Sequence, residues 1–315
     1  MTPQLDFSNV TPVAPATFEQ QLIALLTRIL TTGRPVTDRT GVGTLALFDG
    51  KLTCAANEFP FSTVRSAGPR LSFIEFWFFL NGFTQTKVLE EQGVYFWHDN
   101  TTREFLDKRG LHGLAEGNMG PAYGSQLRGF GKSTIMASLA CDQLAQTINT
   151  LKNDKYSRRI YNTMWNPNES HLMALTPCWH SHQFVVLPDA FGNDVLHLKL
   201  INRSLDTLFG ATFAVQQYRL YQIALANMLQ MQVGELSCDL THVHLYDNQI
   251  TYVEELLTRN FDFNGNSTYN INRVQLERNI STLDDLLSLQ WSDWSINMPE
   301  VNTTPFKTPR PPMAA

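Results

Sequence analysis

The stretch Ala174-Leu-Thr-Pro-Cys178-Trp-His180-Ser-His182-Gln-Phe184 decides how this chain is interpreted. A single cysteine follows a proline and precedes a run in which polar and apolar residues alternate, as in a β-strand with one buried face. A cysteine attacks carbon as its thiolate, which a nearby guanidinium stabilises. The later segment Asn202-Arg203-Ser204-Leu-Asp206 offers Arg203 for this purpose. The alternative is an inert buried thiol, the usual state of a lone cysteine.

The second unusual residue is Glu75, which lies inside Phe73-Ile-Glu75-Phe-Trp-Phe-Phe-Leu80. A carboxylate among apolar neighbours is unstable unless it is hydrogen-bonded or protonated. Burial would raise its pKa toward neutrality, which suits a general acid or base. The alternative is a partly exposed glutamate on the edge of a helix.

Two arginine-containing segments suit phosphate binding less specifically. The pair Arg158-Arg159 follows the polar run Asp154-Lys-Tyr-Ser157, and paired guanidinium groups bind phosphate in a bidentate manner. The alternative is a solvated surface turn. The segment Asp38-Arg39-Thr40-Gly41 by itself indicates only a turn before a strand.

The overall composition is that of an ordinary globular protein. The chain has 315 residues, of which 43% are hydrophobic and 17% charged, and its formal net charge is −5. That charge argues against a nucleic-acid partner, because non-specific binding depends on Lys and Arg neutralising phosphates. No apolar run approaches the roughly 18 residues of a membrane span. The N-terminal residues 1–15 also lack the pattern of a signal peptide. We therefore expect no nucleic-acid or membrane partner.

The cysteines and histidines argue against a metal site. The four cysteines are widely spaced, without a C-x-x-C pair: Cys54, Cys141, Cys178 and Cys238. This spacing favours free thiols in a reducing cytoplasm. The pairs His180/His182 and His242/His244 could bind zinc or iron, but no cysteine or carboxylate is spaced to complete such a site. We expect no metal, with a metalloenzyme as the remaining alternative.

Local patterns in the first part of the chain predict a helix and then a hairpin. Thr17-Phe-Glu-Gln20 has the spacing of a capping box, and an apolar stripe follows it as far as Gly33. Residues 44–48 and 52–55 suggest two short strands joined at Asp49-Gly50.

Further along the chain, patterns predict helices, a loop and a strand. Residues 71–80 form an almost wholly apolar helix, and the glycine-rich residues 103–132 suggest a loop. Residues 196–200 alternate as a strand does. Residues 213–233 predict a long apolar helix that Gly234 stops. Together with the absence of internal repeats, these patterns favour one α/β domain.

Taken in order, several segments resemble the thymidylate synthase family and its relatives, the pyrimidine nucleotide hydroxymethylases. Each segment is short, but their order and spacing make the resemblance specific, and it covers nearly the whole chain. The segments are Asp38-Arg39-Thr40-Gly41-Val-Gly-Thr44, Glu75 to Gly82, Trp97, Gly120-Pro-Ala-Tyr123-Gly-Ser-Gln126, Ser157-Arg158-Arg159, Trp165-Asn-Pro167, Ala174 to Cys178, Arg203-Ser204-Leu-Asp206, Gly210 to Phe213, and His244-Leu-Tyr246.

The resemblance implies a single α/β (α+β) catalytic domain over residues 17–302, with a large mixed sheet packed by helices. Two such chains would form a homodimer through the sheet. Residues 1–16 would be a flexible N-terminus. The proline-rich residues 303–315 cannot form a helix, and would be either a disordered end or a flap that closes over folate.

The implied substrate is a pyrimidine deoxynucleoside monophosphate, and the implied cofactor is 5,10-methylenetetrahydrofolate. Cys178 would add to C6 of the base, and C5 would then attack the methylene carbon. The implied catalytic residues are Cys178, Glu75, Arg203 and Tyr123. The implied nucleotide-binding residues are Arg39, Ser204, Asp206, Ala214, His244, Tyr246, and Arg158 and Arg159 of the partner subunit. The implied folate-binding residues are Arg65, Trp97, Asp206, Gly210 and Phe213.

The chain departs from the family pattern at the base and folate faces. Ala214 stands where the family has a uracil-reading asparagine and where cytosine hydroxymethylases have an aspartate. Trp179 replaces a histidine after the nucleophile. Leu127 and Asn100 replace two tryptophans.

The departures bear on the product. Less bulk at Leu127 and Asn100 would admit water, which favours hydroxymethylation at C5. Because the aspartate for cytosine is missing, we expect dUMP in preference to dCMP. The alternative is thymidylate synthase activity, the reductive methylation of dUMP to dTMP. The end of the chain, Pro312-Met-Ala-Ala315, favours this alternative because it resembles the synthase C-terminus that closes over folate. A third alternative is a nucleotide- or RNA-binding relative without catalysis, against which the retained Cys178, Arg203 and Glu75 argue.

Overall fold

The computed structural model describes residues 16–38, 40–132, 139–259 and 269–312, and within these ranges the chain forms nine α-helices and nine β-strands. The helices are α1 (Phe18–Thr32), α2 (Pro69–Leu80), α3 (Lys87–Glu90), α4 (Arg103–Lys108), α5 (Gly124–Gly129), α6 (Gln143–Asn153), α7 (Gly210–Leu229), α8 (Ile250–Leu257) and α9 (Leu283–Leu287). The strands are β1 (Arg34–Val36), β2 (Thr44–Cys54), β3 (Tyr161–Thr163), β4 (Trp179–Pro188), β5 (Asp194–Asn202), β6 (Leu205–Asp206), β7 (Gln232–Tyr246), β8 (Val274–Leu276) and β9 (Trp294–Ile296).

One large mixed sheet organises the fold. Its strand order is β1-β2-β7-β5-β4-β3, and β6 pairs with β7 away from this path. The strand β7 runs parallel to β5 and β6 and antiparallel to β2. Helices α1 and α7 contact this sheet, and α2 packs against α7. The predicted class, an α/β domain with a large mixed sheet packed by helices, is confirmed.

The first helix begins as its sequence predicts. The Thr17 side chain accepts a hydrogen bond from the Gln20 backbone N–H at 3.3 Å, and the Gln20 side chain accepts one from the Thr17 N–H at 2.8 Å. This reciprocal pair satisfies two N–H groups that the helix itself leaves without partners. At the other end, the Gly33 N–H donates to the Ile29 carbonyl at 2.8 Å. A Cβ at position 33 would lie 2.4 Å from that oxygen, so the position requires glycine.

The predicted hairpin at Asp49-Gly50 is wrong. Strand β2 continues through this dipeptide, and both residues pair with β7, Asp49 opposite Thr241 and Gly50 opposite Leu240. An Asp-Gly pair favours a turn only when the flanking segments pair with each other. Here both segments find the same long partner strand, so tertiary pairing overrides the local preference.

The predicted bounds of the long helix are also wrong. Helix α7 begins at Gly210 and ends at Leu229, and Gln230 adopts a left-handed conformation (φ 55°) that closes it. Gly234 lies within β7, where a Cβ would meet the His197 ring at 2.8 Å. Apolar periodicity alone cannot separate the end of a buried helix from the start of a buried strand.

The region 103–132, predicted to be loop, contains the short helices α4 and α5. The Thr102 side chain caps α4 by accepting from the Phe105 N–H at 3.2 Å. The region was predicted to be a loop because a glycine-rich composition usually indicates turns.

A buried arginine fixes α7 against the sheet. The guanidinium of Arg219 is fully buried and donates to the carbonyls of Ala55, Ala56, Glu58 and Gly234. A buried cation is stable only when its donors are satisfied, and these backbone acceptors satisfy them. Helix α7 is therefore held in place by these bonds.

The C-terminal tail packs against α8. The Phe306 ring stacks on Tyr252 with centroids 4.2 Å apart, and the Glu255 carboxylate accepts from the N–H groups of Lys307 and Thr308 at 2.7 Å each. Residues 303–312 contain neither helix nor strand. Most of the predicted N-terminal segment 1–16 and the final residues 313–315 lie outside the described part of the chain.

Candidate active site

A cavity of ≈ 550 Å³ lies among α2, α7 and the ends of β4, β6 and β7. This volume falls within the usual range for small-molecule sites. It brings together most of the predicted site residues, namely Cys178, Glu75, Arg203, Tyr123, Ser204, Asp206, Ala214, His244, Tyr246, Trp97, Gly210 and Phe213.

The nucleophile end of the cavity is built around Cys178, which directly precedes β4. Arg203 Nη2 lies 3.9 Å from the Cys178 sulfur. The same guanidinium donates to the carbonyls of Thr176 at 2.9 Å and Pro177 at 3.0 Å. These bonds fix a positive charge beside the thiol, the arrangement that favours a thiolate. Of the four cysteines, Cys178 is the one that lines the cavity.

Tyr123 supports the same loop. Its hydroxyl accepts a hydrogen bond from the Cys178 backbone N–H at 2.8 Å, and its ring stacks on Phe79 at 4.7 Å. Burial raises the pKa of Tyr123 well above its usual value, so the phenol stays neutral. Its backbone (φ 29°, ψ −91°) lies in a sparsely populated region, whose free-energy cost is about 1–3 kcal/mol. Such strain is typical of functional sites.

Glu75 is buried at the cavity wall, as its sequence context predicts. One carboxylate oxygen accepts from the Trp97 indole N–H at 2.7 Å, and the other accepts from the Gln217 side-chain amide. Burial raises the pKa of Glu75 to about 7, although both hydrogen bonds act to lower it. A carboxyl group with a pKa near neutrality can both donate and accept a proton at physiological pH.

Asp206 and His244 stand opposite each other on β6 and β7. The Asp206 carboxylate accepts from the Phe209 N–H at 3.2 Å and the Gln249 amide at 3.0 Å, while burial raises its pKa. His244 Nδ1 lies 3.0 Å from the His242 carbonyl. Because a carbonyl only accepts, Nδ1 carries the hydrogen, and burial lowers the pKa of this ring. His244 Nε2 is therefore an acceptor.

Within one chain, the predicted phosphate-binding arginines do not all line the cavity. Arg203 and Ser204 line the cavity, whereas Arg158 and Arg159 are exposed and lie outside it. Arg39 lies outside the described residues.

An aromatic wall forms the other side of the cavity. The rings of Phe96 and Phe213 lie 5.1 Å apart, and Phe209 extends the same surface. The guanidinium of Arg65 lies 5.5 Å from the Phe209 ring but does not itself line the cavity. Arg310, from the tail, does line it and lies 5.1 Å from the same ring. Arg310 was not among the predicted site residues. The signal that could have indicated it is a basic residue in a proline-rich tail.

The departures from the family pattern fall in different environments. Asn100 and Trp179 line the cavity, but Leu127 is buried within the core, where α5 packs between α2 and α6. The expectation that Leu127 loosens the cavity is therefore corrected, because Leu127 belongs to the core and does not line the cavity. Gln217 also lines the cavity and was not among the predicted site residues, although its spacing from Ala214 on α7 offered a signal.

The two predicted histidine pairs lie in different environments, since His242 and His244 line the cavity whereas His180 and His182 do not. His182 is buried against Phe184 and Tyr218, and burial lowers its pKa to about 3. In the described ranges no group of three or more His, Cys, Asp or Glu side chains is arranged to hold a metal ion. The same ranges contain no helix that is long and apolar enough to cross a membrane.

The cavity thus brings together a thiol beside a fixed arginine, a buried carboxyl group and a histidine whose pKa is lowered by burial. The family model described as "Thymidylate synthase" matches residues 20–297. The chain is 34% identical over 279 residues to a thymidylate synthase of Saccharomyces cerevisiae, covering 85% of this chain and 90% of the yeast protein.

Two further relatives carry the same name. A thymidylate synthase of Candida albicans is 34% identical over 267 residues, covering 78% of this chain and 85% of that protein. One of human herpesvirus 8 is 33% identical over 273 residues, covering 85% and 77%. The chain belongs to the thymidylate synthase family, whose members are transferases that use methylenetetrahydrofolate.

Proposed function

We propose that this protein is a thymidylate synthase that converts dUMP to dTMP with 5,10-methylenetetrahydrofolate. One observation carries the proposal. The Arg203 guanidinium lies 3.9 Å from the Cys178 sulfur, and the buried Glu75 lines the same cavity. The printed names of the relatives support methylation over hydroxymethylation.

In the first step, the Cys178 thiolate forms a bond to C6 of the pyrimidine. The electron pair of the C5–C6 double bond moves toward the C4 carbonyl oxygen, and C5 becomes nucleophilic. The Arg203 guanidinium favours the thiolate that this attack requires. The Tyr123 hydroxyl accepts from the Cys178 backbone N–H and so holds the nucleophile's main chain in position.

Glu75 would move the protons of the reaction. Its raised pKa keeps both protonation states accessible near neutral pH, and the bonds from Trp97 and Gln217 hold its two oxygens in place. When bound, methylenetetrahydrofolate supplies the one-carbon unit and the hydride.

The sugar and the phosphate would bind beyond the nucleophile. The His244 Nε2 acceptor and the Tyr246 hydroxyl suit a sugar hydroxyl, and the two rings lie 5.1 Å apart. Ser204 and Arg203 line the cavity on the same side and suit the phosphate.

The exposed arginine pair suggests a shared site. Because Arg158 and Arg159 lie outside their own cavity, we propose a homodimer through the sheet in which the partner subunit's Arg158 and Arg159 complete the phosphate site. Two-fold dimers are also the commonest closed assembly. Subunits carrying Cys178→Ser and subunits carrying Arg158→Ala with Arg159→Ala should each be inactive, yet mixtures should regain activity. Mixtures that stay inactive although subunit exchange is verified by native mass spectrometry would contradict the shared site.

The aromatic wall fits the folate. Phe96, Trp97, Phe213 and Gly210 line a surface suited to a flat ring system, and Arg310 adds a cation. We propose that Asp206 hydrogen-bonds the folate ring, that Arg65 supports the wall from behind, and that tail residues 303–315 close the cavity. Exclusion of water by this tail favours hydride transfer.

Hydroxymethylation is the second candidate. Ala214 and Asn100, both at the cavity wall, are smaller than the residues of the family pattern and favour access of water. Incubation with methylenetetrahydrofolate and each of dUMP, dCMP, UMP and CMP, followed by mass analysis, separates the candidates. We expect a 5-methyl product from dUMP. A 5-hydroxymethyl product, or turnover of cytosine nucleotides alone, would contradict the proposal.

A further inference from the structure

The base face of the cavity presents a chemical problem at position 214. Ala214 lines the cavity with a methyl group, which can neither donate nor accept a hydrogen bond. A pyrimidine nevertheless presents donors and acceptors along its edge, and leaving these unpaired in a closed site is unfavourable. Another side chain must read that edge if the enzyme is to select its base.

We infer that Gln217 is the specificity-determining residue that reads the edge of the pyrimidine, and that it selects uracil; this inference rests on the proposed function. Gln217 lies three residues after Ala214 on α7, so the two share one face of the helix. Both line the cavity. A carboxamide is the side chain that offers a donor and an acceptor in one plane, as the base edge requires.

The orientation of this amide follows from its neighbour. The Gln217 Nε2 donates to the Glu75 carboxylate, which in its ionised form can only accept. The Gln217 Oε1 therefore lies outside the bond to Glu75, on a side chain that lines the cavity. The cavity wall thus presents an acceptor, with the second Nε2 hydrogen beside it.

Other amides near the cavity are not equally available. The Gln216 amide is fully committed, because its oxygen accepts from the Ser72 hydroxyl at 2.9 Å and its nitrogen donates to the Pro60 and Ala67 carbonyls. Asn100 lines the cavity, but its Nδ2 is buried without a partner and cannot reach a ligand. Gln217 thus offers this face an amide oxygen and a second Nε2 hydrogen, both outside its bond to Glu75.

This arrangement selects between the two bases. Uracil carries N3–H, which the Gln217 Oε1 can accept, and a C4 carbonyl oxygen to which the second Nε2 hydrogen can donate. Cytosine has an unprotonated N3, which would face the oxygen of the amide as a second acceptor. Reversing the amide would break its bond to the ionised Glu75 carboxylate, which cannot donate to the amide oxygen. A site built to pair one hydrogen-bonding edge rejects an analogue that leaves it unpaired.

The test is nucleotide binding to the full-length protein without folate, by calorimetry with dUMP and dCMP. Wild type should bind dUMP more tightly than dCMP. Gln217→Met, which keeps the length but removes the amide, should weaken dUMP binding by about tenfold or more and bring the dUMP/dCMP ratio close to one. The matched control Gln216→Met should lower the melting temperature and leave the ratio unchanged.

A rescue variant keeps the inference testable if Gln217→Met is unstable. Ala214→Asn combined with Gln217→Met returns an amide to the same helix face, and it should restore the preference for dUMP. A Gln217→Met protein that keeps the wild-type ratio, or wild type without a preference for dUMP, would overturn the inference. If wild type prefers dUMP but makes 5-hydroxymethyl product, the proposed function fails and the inference stands. If it makes dTMP while the variant keeps the wild-type ratio, the inference alone fails.

Discussion

The two ends of the cavity are built on different principles. At the nucleophile end, backbone groups hold the chemistry in place: Arg203 is fixed by two carbonyls, and Tyr123 accepts from the Cys178 N–H. At the base end, side chains on α7 and α2 hold one another, as in the pair formed by Gln217 and Glu75. The nucleophile end matches the family pattern except at Trp179, whereas the base end departs from it at Ala214. Anchoring by backbone groups keeps the Cys178 thiol and the Arg203 guanidinium in place when nearby side chains change. At the base end, by contrast, a single side-chain change can alter which base is selected.

The largest expected effect tests the nucleophile end. Cys178→Ser should reduce turnover by about 10⁴-fold or more, because a serine hydroxyl without an adjacent base is a poor nucleophile. Binding of dUMP should change only a few-fold, since the Arg203 anchors remain. The control is Cys141→Ser, a partly exposed thiol that does not line the cavity and should leave turnover unchanged. Steady-state kinetics with calorimetry would reveal a failure if Cys178→Ser kept substantial turnover.

A smaller effect is expected at the base end. Glu75→Gln should lower the maximal rate by about 10²–10⁴-fold, the usual loss when a general acid–base is removed, with a smaller change in dUMP affinity. The control Glu91→Gln changes an exposed carboxylate and should have no effect. A Glu75→Gln enzyme that binds dUMP poorly but keeps its maximal rate would show that Glu75 serves binding alone.

The buried carboxyl group should also make stability depend on pH. The pKa of Glu75 is about 7 in the folded protein against an ordinary value of 4.5, so between these values the folded state binds more protons than the unfolded state. Its contribution to the free energy of unfolding therefore falls as the pH rises from about 4.5 to 7. At about 1.4 kcal/mol per pKa unit, the loss is at most about 3.5 kcal/mol.

Urea unfolding at pH 5 and pH 8 measures this loss. The difference in unfolding free energy between wild type and Glu75→Gln isolates the Glu75 contribution, because other titrating groups are common to both proteins. Wild type should lose stability relative to Glu75→Gln as the pH rises. An equal difference at both pH values would show that Glu75 is ionised throughout this range.

The sequence predicts contiguous features well and distant contacts poorly. The capping box at Thr17, the burial of Glu75 and the strand after Cys178 follow from neighbouring residues, and the structure agrees. The bond between Gln217 and Glu75 joins residues 142 positions apart, and no local pattern reports it. The position of Arg310 depends in the same way on tail packing.

The failures have a common physical cause. Asp49-Gly50 carries a turn signal that pairing with β7 overrides. Leu127 stands at a family position that implies a cavity wall, yet the packing of α5 turns its side chain into the core. In both places tertiary contacts decide the outcome, and those contacts are formed by residues far away in the chain.

The central claim is that this cavity carries out reductive methylation of dUMP. The most direct measurement is the stoichiometry of dihydrofolate, followed by absorbance, to 5-methyl nucleotide, followed by mass, during turnover of dUMP with methylenetetrahydrofolate. The account predicts one dihydrofolate for each dTMP, without 5-hydroxymethyl product. Formation of 5-hydroxymethyl-dUMP without dihydrofolate would contradict it, and would mean that water reaches the exocyclic methylene.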